Sequence, residues 1–230
     1  MLYRIIFLYF FLLSSIYSEC ILSSSYDFNT KQWQDNFSCP EELLKTKHSS
    51  GSIFKIFLVM SGYHYNILDK KDINMIQDKM FVSDNEYFVH LIKKINKKRF
   101  ILFINQYLKN YLYPIKENNF TDDFSYLYGG KLKFFPEEIL NWFKKLSLDE
   151  RDFSKFALET IKRNELGITY YGKSGTWNGS AWFCGILKRK SLKVLCVLNQ
   201  YKIPNWKVAK DKSYETFKKI LVAGNQPALK

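Results

Sequence analysis

Two adjacent carboxylates are the first residues whose placement suggests chemistry. Residues 130–139 read GKLKFFPEEI, so a short strand-like run from Lys131 to Phe135 ends in Pro136-Glu137-Glu138. A third acid, Asp27, lies in the earlier apolar stretch SYDFN. Carboxylates facing each other across a cleft suit glycoside hydrolysis. One protonates the leaving oxygen, and the other acts as nucleophile, base or stabiliser. Each acid also has a plain structural reading. Glu137 and Glu138 stand where a helix macrodipole favours acids, and Pro136 stands where first-turn prolines stand. Asp27 is a common turn residue type.

Other catalytic groups are sparse. None of the three histidines, His48, His64 and His90, is followed two residues later by Lys, which excludes an acid nuclease of the His-x-Lys kind. No Gly-x-Ser-x-Gly elbow, phosphate loop or dinucleotide fingerprint is evident. No Cys-x-x-Cys or Cys/His cluster has metal-site spacing, so neither a metal nor an organic cofactor is expected.

The acids need elements to hold them. Cys39-Pro40-Glu41-Glu42 has the form of a helix start. IFKIFLVM (53–60), RFILFI (99–104) and Lys131–Phe135 read as buried strands. Asp69–Met80 and Asp84–Lys98 read as helices, the second with Tyr87, Phe88, Leu91, Ile92 and Ile95 on one face. Helices follow at Glu137–Leu146 and Asp149–Arg163, strands at Leu166–Tyr171 and Lys193–Leu198, and a last helix at Lys212–Val222. Apolar strands alternating with helices imply a mainly parallel sheet with helices outside. A small (β/α) barrel and a doubly wound open sheet both fit, and both gather function at the carboxyl ends of strands. In a barrel, Asp27 and the Glu137–Glu138 pair would share a cleft.

The chain has 230 residues and no sign of a domain boundary, which fits a single domain. Residues 1–18 carry one Arg, an apolar run from Ile5 to Leu13 and then small residues. That pattern reads as a secretory signal cleaved near Ser18, leaving a domain over 19–230. Export would permit two disulfides among Cys20, Cys39, Cys184 and Cys196, with three possible pairings. It would also permit glycosylation at Asn36, Asn119 and Asn178, each the first residue of an Asn-x-Ser/Thr sequon. The net charge of +13 favours acidic partners such as cell walls, anionic membranes or nucleic acid.

Four stretches, in order, resemble glycoside hydrolase family 25 lysozymes of the nematode-type branch. They are Tyr26-Asp27 followed by Phe37-Ser38-Cys39, FKIFLVMSGYH (54–64), DFSKFALETIKRNELGITYYGKSGTW (152–177) and ETFKKILVAGNQPALK (215–230). The resemblance implies an α/β fold, a TIM-like (β/α) barrel, and a secreted N-acetylmuramidase that hydrolyses β-1,4 bonds of bacterial peptidoglycan in defence or digestion. By the same resemblance Glu138 is the general acid, with Glu137 beside it, and Asp27 steadies the transition state. Tyr63, Tyr170, Tyr171 and Trp177 would stack on sugar faces. The catalytic set is incomplete, because Pro136 replaces the family's Asp and KVLCVLNQY (193–201) lacks its aromatic and acidic residues. Reduced or lost hydrolysis is therefore part of the expectation, and a non-catalytic glycan- or wall-binding protein on the same fold is the alternative. The expected partner is peptidoglycan or a related glycan. No nucleic acid, no stable membrane insertion and a monomeric state are expected. A charge-driven effector, whose binding would fall steeply with salt, is a third reading.

Overall fold

The computed structural model describes residues 18–109, 114–188, 191–202 and 205–223. The expected secretory signal, residues 1–18, therefore lies outside the described residues except for Ser18.

In chain order the elements are β1 (Glu19–Asp27), β2 (Gln32–Ser38), α1 (Glu41–Leu44), α2 (Lys55–His64), α3 (Ile73–Val82), α4 (Asn85–Ile95), α5 (Lys97–Tyr107), α6 (Pro136–Leu148), α7 (Asp152–Thr160), β3 (Lys162–Glu165), β4 (Ile168–Trp177), β5 (Ser180–Lys188), β6 (Leu192–Gln200) and α8 (Trp206–Ala223). A 3-10 turn over Gly51–Phe54 leads into α2. The strands form one sheet in the order β2-β1-β6-β5-β4-β3, with every neighbouring pair antiparallel. The sheet is open at both edges. The expected (β/α) barrel is thus corrected, and so is its parallel alternative.

The physical reason for that error is a confusion of buried helices with buried strands. Every residue of α2 from Lys55 to Gly62 is buried. A helix buried all round shows the same continuous apolar run as a central strand, so periodicity cannot separate them. RFILFI likewise belongs to α5, which buries Phe100, Phe103 and Ile104. Lys131–Phe135 forms only an isolated bridge, in which His48 and Phe134 exchange N–H···O bonds of 2.8 Å. Conversely, β5 was not expected at all. It is joined to β4 through Asn178 and Gly179, whose φ angles of 45° and 82° suit a two-residue hairpin turn.

The sheet separates two cores. On one face α8 packs Phe217 and Leu221 onto Tyr170, Phe183, Leu195 and Val197. On the other face α2, α4, α5 and α6 form a larger core with Leu22, Trp182, Cys184, Ile186 and Cys196. The alternation of Trp182, Phe183 and Cys184 between those cores is the two-residue period of a strand buried on both sides. Cys184–Cys196 links directly paired positions of β5 and β6, and Cys20–Cys39 closes the β1–β2 hairpin. Lys144 on α6 reaches Asp35 on β2 at 2.7 Å and ties that edge strand to the helical layer.

Candidate active site

A cleft lies where the end of β4 meets the entry to α2 and the turn between α3 and α4. It has a volume of about 600 Å³, and Ser52, Ser83, Asn85, Ser174, Trp177 and Lys210 are among its lining residues. Among the described residues none that lines it is acidic.

Ser52 opens this arrangement from the turn before α2, and Lys55 follows three residues later on the same helical face. Lys55 is fully buried. Its Nζ donates to Ser83 O at 2.8 Å and to Asn85 Oδ1 at 2.6 Å. Burial lowers the Lys55 ammonium to about 7, against the opposing pull of Asp84.

Ser83 closes α3 with φ of 59°, a left-handed conformation uncommon outside glycine. Asp84 then caps α4 by accepting from Tyr87 N at 3.0 Å, and Lys79 holds its carboxylate at 2.8 Å. The turn between two fixed helix ends therefore presents both the carbonyl and the hydroxyl of Ser83 to the cleft side.

The hydroxyl receives the second buried lysine. Lys173, on β4, donates through Nζ to Ser83 Oγ and to Ser174 O, each at 2.8 Å. Its charge is held well below the usual lysine range by burial, and further by Lys55, Arg163 and Lys210. Two amines that resist protonation thus meet one serine residue, Lys55 at its carbonyl and Lys173 at its hydroxyl.

The end of β4 also brings its backbone to Ser52. Gly172 donates its N–H to Ile161 O, and its carbonyl accepts from Arg163, so this residue's backbone faces away from β5. With a two-residue period the N–H of Thr176 faces the same edge. The turn before α2 covers that edge at very close range. A Cβ on Gly51 would lie 2.4 Å from Thr176 N, and one on Gly175 would lie 2.4 Å from Ser50 O. Gly51 also has φ of +54°. Glycine at both positions is what lets backbone meet backbone here.

Of the residues expected to act, only Trp177 lines the cleft, where it stacks on Tyr128 with ring centroids 3.8 Å apart. Asp27 ends β1 as a turn residue. Its Oδ1 accepts from Asn29 N at 2.8 Å, and that bond lowers its pKa. Glu138 Oε2 accepts from Phe135 N at 2.7 Å, a helix-capping contact, and Glu137 is exposed on the same turn. Among the described residues no hydrogen bond or ion pair joins Asp27 to either glutamate. Tyr63 stacks on Phe156, while Tyr170 is buried on the α8 side of the sheet with its hydroxyl on Glu165 and Tyr214. Tyr171 is half-buried on β4. Of the sequon residues, Asn36 and Asn178 are exposed, and Asn119 is half-buried with its Oδ1 accepting from Lys116 N.

Sequence reasoning passed over Ser52, Lys55, Ser83, Asn85, Lys173 and Ser174, although the signal was present. Ser52-Ile53-Phe54-Lys55, Ser83-Asp84-Asn85 and Lys173-Ser174-Gly175 match, in order, the S-x-x-K and S-D-N patterns and, with Ser for Thr, the K-T-G pattern of penicillin-recognising serine enzymes.

No protein-family model matches the chain, and no curated protein matches it. Solved structures do. A class D beta-lactamase from Fusobacterium nucleatum subsp. polymorphum superposes with a TM-score of 0.67 at 14% identity, covering 92% of this chain and 96% of that one. A class D beta-lactamase from Sebaldella termitidis gives 0.66 at 15% identity, covering 94% of each chain. The C-terminal domain of the Bacillus licheniformis BlaR penicillin-receptor gives 0.64 at 18% identity, covering 92% and 94%. The fold is therefore that of these proteins. The resemblance to family 25 lysozymes is overturned, and with it the TIM barrel, the glycoside hydrolase, the peptidoglycan glycan as partner and the glycan-binding alternative.

Proposed function

We propose that the chain is an active-site-serine acyl hydrolase that opens β-lactams, with Ser52 as nucleophile. The observation that carries this reading is the convergence of two buried lysines, Lys55 and Lys173, on Ser83 beside Ser52. Lys55, with its ammonium lowered to about 7, is neutral in a large fraction of molecules at pH 7 and takes the Ser52 proton. Ser52 Oγ bonds to the lactam carbonyl carbon, the C–N bond breaks, and the ring nitrogen takes a proton from the Ser83 hydroxyl. Solvent returns a proton to that hydroxyl, which Lys173 Nζ holds in place, and Lys55 releases the proton it took from Ser52 to solvent. Water then attacks the ester with Lys55 again as base, since the cleft lining offers no carboxylate for the purpose. The Ser52 N–H, which a first helical turn leaves without an intrahelical partner, and the Thr176 N–H flank the position of the developing oxyanion. Lys210 supplies positive charge for a substrate carboxylate.

Support for the class of substrate comes from the ordered sequence patterns together with the fold. Export fits the two disulfides, and among the described residues no helix is long and apolar enough to cross a membrane. The deciding experiment is intact-mass spectrometry after incubation with benzylpenicillin. A transient adduct of the whole drug mass on the wild-type chain, absent from Ser52→Ala, supports the reading. An unmodified wild-type chain together with unhydrolysed drug refutes it.

A further inference from the structure

A second cavity lies behind the cleft, across the ridge formed by Asn178 and Tyr201, which line both spaces. It has a volume of about 430 Å³. Its floor holds three buried polar side chains, His48, Ser49 and Ser180. Its rim carries Lys47, Lys133 and Lys202, and among the described residues no acidic one lines it. Among the described residues none of these lysines pairs with a carboxylate; Lys47 lies over the Phe135 ring at 4.9 Å.

The floor is only partly engaged. His48 Nε2 lies 3.0 Å from Leu43 O, which makes that nitrogen the N–H donor and leaves Nδ1 as an acceptor. Ser180 Oγ meets Nδ1 only at 3.4 Å, so its hydroxyl is loosely engaged. Concave, polar and positively charged, the space is unlike the neighbouring cleft with its aromatic lining.

We propose that this cavity binds the phosphate group of a small phosphorylated molecule, of about the size of a sugar phosphate, separately from the serine cleft. Three unneutralised ammonium groups suit a dianion, and lysines bind phosphate as point charges from several directions. The loosely held Ser180 hydroxyl and the Asn178 and Gln200 amides supply donors for its oxygens and for attached hydroxyls. The volume falls in the range of small-ligand sites, and a buried polar floor is out of reach of a flat surface such as a bilayer.

The test uses the full chain. With only three histidines, the His48 ring resonance is resolvable by NMR. Inorganic phosphate and glucose 6-phosphate are titrated at constant ionic strength, with chloride and glucose as controls. The expected result is a saturable His48 shift with both phosphates, tighter for glucose 6-phosphate, and affinity weakened about tenfold or more in Lys133→Gln/Lys202→Gln. Ser52→Ala should bind unchanged, so failure of the acylation reading leaves this result standing. The proposal falls if phosphate shifts His48 no more than chloride does, if the lysine variant binds equally well, or if glucose 6-phosphate binds no tighter than inorganic phosphate.

Discussion

The start of α6 and the entry to α2 are both helix N-termini with polar residues in the first turn, and they differ in their surroundings. At α6 the polar groups are an exposed Glu137 and a half-buried Glu138, which spends its carboxylate on the backbone N–H of Phe135. At α2 the groups are Ser52 and Lys55, with Lys55 wholly buried and its nearest acceptors 28 and 30 residues away in sequence. A local partner satisfies a group and leaves it ordinary. Partners brought from distant elements, at a buried position, shift a proton affinity and hold a geometry, which is what acid–base chemistry needs.

The comparison breaks most sharply at Ser52. Ser52→Ala should reduce benzylpenicillin opening by roughly a thousandfold or more, measured by hydrolysis rate and by loss of the covalent adduct. A variant that still forms an adduct would move the nucleophile elsewhere. Lys55→Met should cost roughly a hundred- to ten-thousandfold in acylation rate. Lys55→Arg should be no better, because a guanidinium cannot become a neutral base near pH 7. Rescue by arginine would mean that charge, and not basicity, is what the position supplies.

pH sharpens the same contrast. Acylation should rise as pH rises through about 7, as Lys55 loses its proton in the folded chain. Stability should move in the same direction. The unfolded lysine keeps its proton up to about 10.4, so between about 7 and that value the unfolded state binds more protons and unfolding free energy increases with pH. Urea denaturation across that window reads this slope, and Lys55→Met should flatten it. A slope unchanged in the variant would show that Lys55 does not carry the coupling.

The smallest effect belongs to α6. Glu138→Ala should lower stability by about 0.5–1 kcal/mol through loss of the capping contact and leave benzylpenicillin opening unchanged. A large activity loss without unfolding would return that glutamate to the chemistry.

Several elements were legible in the sequence because their signals are local. The amphipathic stripe of α4, the proline-initiated start of α6 and the strand cores of β4 and β6 all declare themselves within a dozen residues. So did the even set of cysteines, although their pairing, Cys20 with Cys39 and Cys184 with Cys196, came only with the sheet register. The Asn178-Gly179 hairpin signal is also local, but the same residues form a sequon, and that reading says nothing of β5. Lys55 was the more instructive miss. Within IFKIFLVM a lysine looks like an interruption of a strand, whereas in the fold it is a buried helix residue whose ammonium reaches Ser83 and Asn85.

What the sequence determined by itself is the inventory: Ser-x-x-Lys, Ser-Asp-Asn and Lys-Ser-Gly in that order, on a basic chain with four cysteines. What the tertiary structure decided is that these three short runs meet. Lys173 reaches Ser83 across 90 residues of chain, through a left-handed turn between two helices and a strand edge opened by two glycines. Sequence spacing encodes which residues share one helix face or one strand face. Bringing a strand end to a helix entry depends on how a whole core packs, and that core is assembled from apolar residues whose pattern does not say whether they are helix or strand.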